Sequence, residues 1–224
     1  MHFFRFNSLS IYFSFILSLL LIFCSKTFLF ANQYVEKIVQ VYTDPTKNPV
    51  ELSLGVLYND QLVLTCFHGL KNSRSNNFTV FLNSTKGIPA RLLTYGETED
   101  IALLKLEETV NGVTLVNIRI GLLKDKESFY YSPNPLFPWQ FRGKGLWIGK
   151  SFLNENGKVV LGFRLPVYSG CSGGGVFDEE DNLVGIIQST TIWNNNKITL
   201  VIPGEEISRF LKRSGIKCNR KIYP

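Results

Sequence analysis

Ser172 is the residue of this chain best placed for nucleophilic chemistry. It lies in the motif GCSGG (residues 170–174), where the flanking glycines leave its hydroxyl open to a substrate and its backbone N–H free to bind an oxyanion. A serine hydroxyl needs an adjacent base at neutral pH. Of the two histidines, His2 lies in an apolar N-terminal segment that resembles a removable leader, so His68 is the candidate base.

The sequence around His68 and Asp100 completes the set of groups that such a serine needs. His68 ends the apolar run VLTCFH (residues 63–68), and Asp100 stands directly before the apolar run IALLKL (residues 101–106). A carboxylate beside the far nitrogen of an imidazole fixes its tautomer and stabilises its positive charge. The three residues therefore predict acyl transfer, in the chain order His68, Asp100, Ser172.

This order resembles that of the chymotrypsin-fold serine proteases. The resemblance extends to LGVL (residues 54–57), IPAR (88–91) and LVIP (200–203), and it is closest to the HtrA/Deg-type protease domain over roughly residues 35–213. It implies a trypsin-like serine endopeptidase that cleaves proteins or peptides through an acyl-enzyme and needs no cofactor. It also implies an oxyanion hole made by the N–H groups of Gly170 and Ser172.

The resemblance and the pattern of short alternating runs predict an all-β fold. We expect two six-stranded antiparallel β-barrels with a short C-terminal helix and no PDZ-like domain. Within a protease domain of residues 32–224, barrel 1 covers about 34–110, barrel 2 about 120–203, and the helix and tail 204–224. The helix is predicted from Glu205 to Arg213, where Ile207, Phe210 and Leu211 share one face.

Two positions depart from the family pattern. Cys171 stands where relatives carry Asp or Asn, so no ion pair with a freed N-terminus can form there, and Gly175 replaces a common proline. These departures leave a second hypothesis open, a catalytically inactive binding protein with a protease fold. Because Gly-Gly directly follows Ser172 and a glycine stands two places before it, the spacing assigns the nucleophile to Ser172 rather than to Cys171.

The resemblance also locates a pocket for the residue before the scissile bond, the P1 residue. Its floor is predicted at Pro166 with Val167 beside it, and its walls at Gln188 to Thr190 and around Val201. None of these residues is acidic, which disfavours a preference for Arg or Lys. Ile187 stands where glutamate-specific relatives carry a histidine. A small or medium apolar P1 residue is therefore predicted.

The N-terminal segment predicts export. Arg5 is the only charge before an apolar stretch from about Leu9 to Phe23, and Ala31 offers a cleavage site, so residues 1–31 are interpreted as a signal peptide of a periplasmic or secreted protein. An uncleaved membrane anchor over about residues 9–30 is the alternative. Lipid attachment at Cys24 is disfavoured by the bulky Phe23.

The remaining composition favours no other class of partner or ligand. Without the leader, the charge balance is 22 minus 18, or +4, which does not indicate nucleic acid binding. The acidic run of residues 178–181 is interpreted as a solvated hairpin turn, and no metal site is predicted. Three cysteines follow the leader, an odd number, so the fold is not expected to depend on disulfides. They are Cys66, Cys171 and Cys218.

Overall fold

Strands make up nearly all of the regular structure, which confirms the predicted all-β class. The structure is a computed structural model and describes residues 37–43, 51–73, 76–82, 86–125 and 127–224. The predicted leader and anchor, residues 1–31, lie outside the described residues.

The first six strands form a closed antiparallel barrel. They are β1 (Ile38–Thr43), β2 (Leu52–Leu57), β3 (Leu62–Cys66), β4 (Asn77–Phe81), β5 (Gly87–Gly96) and β6 (Ile101–Leu106). The order around the barrel is β1-β2-β3-β6-β5-β4, so the strands that precede His68 and follow Asp100 are neighbours.

The next strands form a second barrel with additional strands at its side. They are β7 (Asn117–Ile120), β8 (Ser128–Tyr131), β9 (Gly143–Leu153), β10 (Val159–Arg164), β11 (Gly175–Phe177), β12 (Leu183–Trp193), β13 (Asn196–Pro203) and β14 (Asn219–Ile222). Six of them follow the order β11-β8-β9-β10-β13-β12, and a pairing of β11 with β12 closes the ring. The predicted double barrel is therefore confirmed. Strand β7 adds parallel to β12, and β14 adds parallel to β7.

The single α-helix among the described residues, α1 (Gly204–Arg213), begins one residue before the predicted start and ends at the predicted residue. Ile207, Phe210 and Leu211 are buried and join the core of the second barrel, as their common face predicts. Within the described residues, no helix is long and apolar enough to cross a membrane.

Strands β3 and β6 are buried on both faces, which explains their continuous apolar sequences. Val63 and Leu104 point into the first barrel, whereas Leu64 and Leu103 belong to a core that the two barrels share. The ends of these two strands therefore lie against the second barrel. This placement brings the residues just beyond them to the surface between the barrels.

Candidate active site between the barrels

The pairing of β3 with β6 brings His68 and Asp100 together. In the antiparallel register Cys66 lies opposite Ile101, so the residues that follow β3 lie beside those that precede β6. The N–H of Phe67 donates to the carbonyl of Asp100 at 3.2 Å, which extends the ladder by one bond. His68 Nδ1 then lies 2.8 Å from Asp100 Oδ2. The two predicted residues thus form a side-chain hydrogen bond at the mouth of the first barrel.

The carboxylate of Asp100 is held by three donors. Oδ1 accepts the backbone N–H of His68 at 2.8 Å, and Oδ2 accepts both the His68 ring and the side-chain amide of Gln188 at 3.1 Å. Asp100 itself has a left-handed backbone with φ of 58°, a conformation that Asp tolerates better than most residues. These bonds fix the orientation of the carboxylate relative to the imidazole.

The loop of Ser172 is fastened to both barrels through backbone contacts. The carbonyl of Ser172 accepts the N–H of Leu54 at 2.9 Å, and the N–H of Gly173 donates to Ile187 at 2.7 Å. Gly173 has φ of +86°, and a Cβ there would lie 2.1 Å from the carbonyl oxygen of Leu54 and 2.2 Å from Thr65 Oγ1. Only glycine fits at this close approach of the two barrels.

The backbone N–H groups of Gly170 and Ser172 donate to no group in the described part of the chain. Gly170 has φ of +92°, which turns the loop between exposed Ser169 and buried Cys171. Two free N–H groups two residues apart are the type of donor pair that binds an oxyanion. The structure therefore leaves available the two donors that the sequence predicted.

A β-bulge places Gln188 in contact with both Asp100 and Ser172. Along β12, Ile187 lies opposite Val201 and Ser189 lies opposite Leu200, so Gln188 is the extra residue of the bulge. Its side chain reaches Asp100, and its carbonyl oxygen accepts the hydroxyl of Ser172 at 2.9 Å. The sequence indicated Gln188 only as a pocket wall, because no sequence signal reports a bulge.

Hydrogen bonding and burial set the protonation of the groups near the cleft. The hydrogen bond to Asp100 raises the pKa of His68, against the lowering effect of burial. Burial raises the pKa of Cys171 to about 11, and its thiol donates to the carbonyl of Pro133 at 3.1 Å. Burial also raises the pKa of Cys66, whose thiol donates to the carbonyl of Ile187. The three cysteines among the described residues are free, and Cys66 and Cys171 are protonated thiols at neutral pH.

A cleft of about 720 Å³ adjoins the His68–Asp100 pair. Gln188, Ser189 and Leu200 form one side of it, and Glu97, Asn154 and Glu155 belong to its other walls. Of the predicted pocket residues, Gln188 and Ser189 line this cleft.

The other predicted pocket residues lie elsewhere. Pro166 is exposed, with its carbonyl bonded to the hydroxyl of Tyr131 at 2.9 Å, and Val167 is half-buried against the core. Thr190 is exposed on β12. Val201 is fully buried in the core, because side chains alternate along β13 and it is its neighbour Leu200 that faces the cleft.

One group of metal-ligand residue types occurs among the described residues. Ligand atoms of Cys66, His68 and Asp100 lie within 4.8 Å of one another, a donor set that fits zinc. Each of these side chains takes part in a hydrogen bond already described, His68 with Asp100 and Cys66 with the carbonyl of Ile187. The same three side chains therefore serve the hydrogen-bonded arrangement of the cleft.

Comparison with solved structures identifies proteins that share this fold. Two crystal structures of the inactive form of the protease Rv3671c share the fold, one of them a serine-to-alanine mutant from M. tuberculosis H37Rv. The mutant matches with a TM-score of 0.65 and 17% identity over 84% of this chain and 92% of its own. The other matches with a TM-score of 0.67 and 17% identity over 83% and 92%.

Sequence comparison identifies a family but no individual relative. No curated protein matches the sequence. The family described as "Trypsin-like peptidase domain" matches residues 54–186, a range that contains His68, Asp100 and Ser172. The finer similarity to HtrA/Deg-type proteases stays a prediction. On this family match and on its double-barrel fold, the chain belongs to the family of trypsin-like peptidase domains.

Proposed function

We propose that the chain is a serine endopeptidase in which Ser172 is the nucleophile and His68 is the general base. Asp100 orients the imidazole of His68 and stabilises its positive charge. The observation that carries the proposal is the 2.8 Å bond between His68 Nδ1 and Asp100 Oδ2, connected through Gln188 to the hydroxyl of Ser172. A base with an orienting carboxylate next to a glycine-flanked serine is the arrangement that acyl transfer requires.

The reaction starts when the hydroxyl of Ser172 leaves the carbonyl of Gln188 and turns to His68 Nε2. As Oγ attacks the substrate carbonyl carbon, its proton passes to His68, and the imidazolium is stabilised by Asp100. The new oxyanion accepts the free N–H groups of Gly170 and Ser172. Collapse breaks the C–N bond, His68 gives the proton to the leaving amine, and water then repeats the sequence on the acyl-enzyme.

The neutral cysteine before the nucleophile fits this assignment. The thiol of Cys171 is buried and donates to the carbonyl of Pro133, and its raised pKa keeps it protonated. A nucleophilic cysteine reacts as the thiolate, and reactive thiols lie in electropositive, exposed surroundings. Cys171 has neither property, so the chemistry is assigned to Ser172.

The proposal extends to substrate and location. Proteins or peptides are the substrates, with a small or medium apolar P1 residue. The predicted pocket floor at Pro166 and Val167 carries no acidic residue, and Ile187 stands where glutamate-specific relatives carry a histidine. The apolar segment before Asn32 supports export to the periplasm or beyond. N-terminal sequencing tests export: a start near Asn32 supports cleavage of a signal, and an intact Met1 in carbonate-washed membranes would favour the anchor.

One observation favours the second hypothesis, an inactive binding protein. The hydroxyl of Ser172 donates to Gln188 rather than to His68. Digestion of an unfolded protein such as reduced casein separates the two functions. The endopeptidase produces new internal termini that the Ser172→Ala variant does not produce, whereas a binding protein retains casein without cutting it.

A further inference from the structure

An apolar cavity lies beside the loop that carries Gly170 and Ser172. It has a volume of about 500 Å³, within the range of ligand pockets in proteins. Leu52, Pro135, Leu136, Tyr168 and Gly170 line it, and none of its lining residues is charged. Leu136 and Tyr168 are more than half exposed, so the cavity opens to solvent between apolar side chains. This cavity shares no residue with the cleft of His68 and Gln188.

The free edge of β12 orients a bound polypeptide relative to this cavity. In the described part of the chain, β11 pairs with β12 only as far as Ile186, so from Gln188 onward one edge of β12 has no strand partner. An extended peptide can add to such an edge. Because β12 runs away from Ser172, a peptide paired antiparallel to it runs toward Ser172. Residues that follow the scissile bond then pass Gly170 and reach the apolar cavity.

Gln40 holds the wall of the cavity in place from the other barrel. Its side-chain amide donates to the carbonyls of Pro135 at 2.7 Å and Leu136 at 3.0 Å, across a sequence separation of 95 residues to Pro135. Gln40 lies in β1 and is only 4% exposed. A buried donor of this kind is costly to leave without partners, so its two bonds fix the position of the loop.

The same loop is also fastened to the oxyanion side of the site. The carbonyl of Pro133 accepts the thiol of Cys171 at 3.1 Å and the N–H of Tyr168 at 3.4 Å. The ring of Pro135 lies against Gly170, with Cβ and Cγ 3.2 Å from where a Cβ would stand. The cavity is therefore formed before any ligand enters it.

We propose that Gln40 is a positioning residue that makes the enzyme select an apolar side chain of leucine or phenylalanine size on the leaving-group side of the scissile bond. This inference rests on the proposed function, because it concerns the leaving segment of an acyl-transfer reaction. Gln40 acts through Pro135 and Leu136, whose apolar surfaces meet the selected side chain.

Acyl transfer to added amines tests the leaving side alone. The wild-type chain is acylated with a peptide ester in the presence of dipeptide amides that carry Leu, Phe, Ser or Asp. The amine nitrogen bonds to the acyl carbon, the bond to Ser172 Oγ breaks, and the amine proton passes through His68 to Oγ. The ratio of aminolysis to hydrolysis reports the affinity for each amide, independent of how fast acylation occurs.

The wild-type chain is expected to favour the Leu and Phe amides over Ser and Asp by about tenfold or more, the effect of burying one such side chain. In Gln40→Met the preference falls to about twofold. The matched control is Gln61→Met, which removes the side-chain hydrogen bond to Thr109. Neither Gln61 nor Thr109 lines the cavity, so this variant is expected to keep the full preference.

A surface variant keeps the inference falsifiable if Gln40→Met fails to fold. Leu136→Ser removes apolar surface from the cavity rim at an exposed position and also lowers the preference. Ester hydrolysis without any apolar preference, or a preference unchanged in Gln40→Met and Leu136→Ser, overturns this inference and leaves the proposed function standing. A wild-type chain that hydrolyses no ester overturns the proposed function, and the inference with it.

Discussion

The hydroxyl of Ser172 donates to the backbone carbonyl of Gln188 at 2.9 Å, while the side chain of the same glutamine donates to Asp100 at 3.1 Å. One residue therefore contacts both the proposed nucleophile and the proposed acid partner of His68. The bulge at Gln188 is what allows its two ends to reach different residues of the cleft.

Removing the side-chain bond from Gln188 tests its role in orienting Asp100. In Gln188→Leu the backbone carbonyl remains, but Asp100 loses one donor, so kcat/KM should fall about tenfold to hundredfold, as expected for a hydrogen bond to a charged group. With one donor fewer, the carboxylate attracts the His68 proton more strongly, and the pH midpoint of kcat/KM should move upward. An unchanged rate and midpoint would exclude this role. Gln61→Leu is the control.

The pH dependence follows from His68. Its pKa is raised above the ordinary 6.5, and the base must be neutral, so kcat/KM should rise with pH through a midpoint above 6.5. In Asp100→Asn the midpoint should fall and the rate should drop by about ten-thousandfold, the loss known for such a substitution. A midpoint that does not respond to Asp100→Asn would contradict the assignment.

The raised pKa of His68 also affects the stability of the fold, which falls as pH rises while activity increases. Protonated His68 is favoured in the folded state, so the His68–Asp100 pair stabilises the fold fully below the unfolded-state pKa. This contribution is lost as pH rises through the folded-state pKa of His68. The pH at which the enzyme becomes active is thus the pH at which this pair contributes least to stability.

Gly173 is expected to tolerate no side chain. Gly173→Ala places a Cβ 2.1 Å from the Leu54 carbonyl at a positive φ, so we expect a loss of more than about 4 kcal/mol in the free energy of unfolding. Gly112 provides a matched control, with φ of +81° and nothing within 4 Å of a Cβ. Gly112→Ala should cost only about 1–2 kcal/mol, the backbone effect alone. Urea denaturation of both variants measures the difference, and equal losses would refute the contact argument.

Cys171 should be dispensable for the chemistry. Cys171→Ala removes a weak bond to the Pro133 carbonyl and should retain peptidase activity to within about tenfold, whereas Ser172→Ala should abolish acylation. Turnover of one peptide ester by both variants measures this. If Cys171→Ala abolishes acylation while Ser172→Ala retains it, the nucleophile is the cysteine.

The residues of the proposed triad could be found in the sequence because each stands in a local pattern. His68 and Asp100 adjoin apolar runs that are buried on both faces, and Ser172 stands among glycines that the close approach of the barrels requires. The fold class followed from the same runs and from the family resemblance. These features depend on neighbours in the chain, and a sequence displays such neighbours directly.

Features that depend on distant contacts could not be predicted. Asp178, interpreted as part of a solvated turn, is 2% exposed, because Arg119 from β7 lies 3.4 Å away and Asn182 donates to it. The ring of Tyr223 in the C-terminal tail lies over the guanidinium of Arg119. Strand β14, which precedes Tyr223, has a polar sequence without apolar alternation, so the sequence did not predict it. Likewise, nothing in the sequence around Gln40 indicates its hydrogen bonds to the cavity loop.

The central claim is that Ser172 is a nucleophile activated by His68, and covalent labelling with a fluorophosphonate tests it most directly. The folded wild-type chain should gain one phosphonyl group, which peptide mass spectrometry should locate on Ser172, and His68→Ala should lose nearly all of this labelling. A chain that is folded by circular dichroism but never labels, or one that labels equally without His68, would contradict the account.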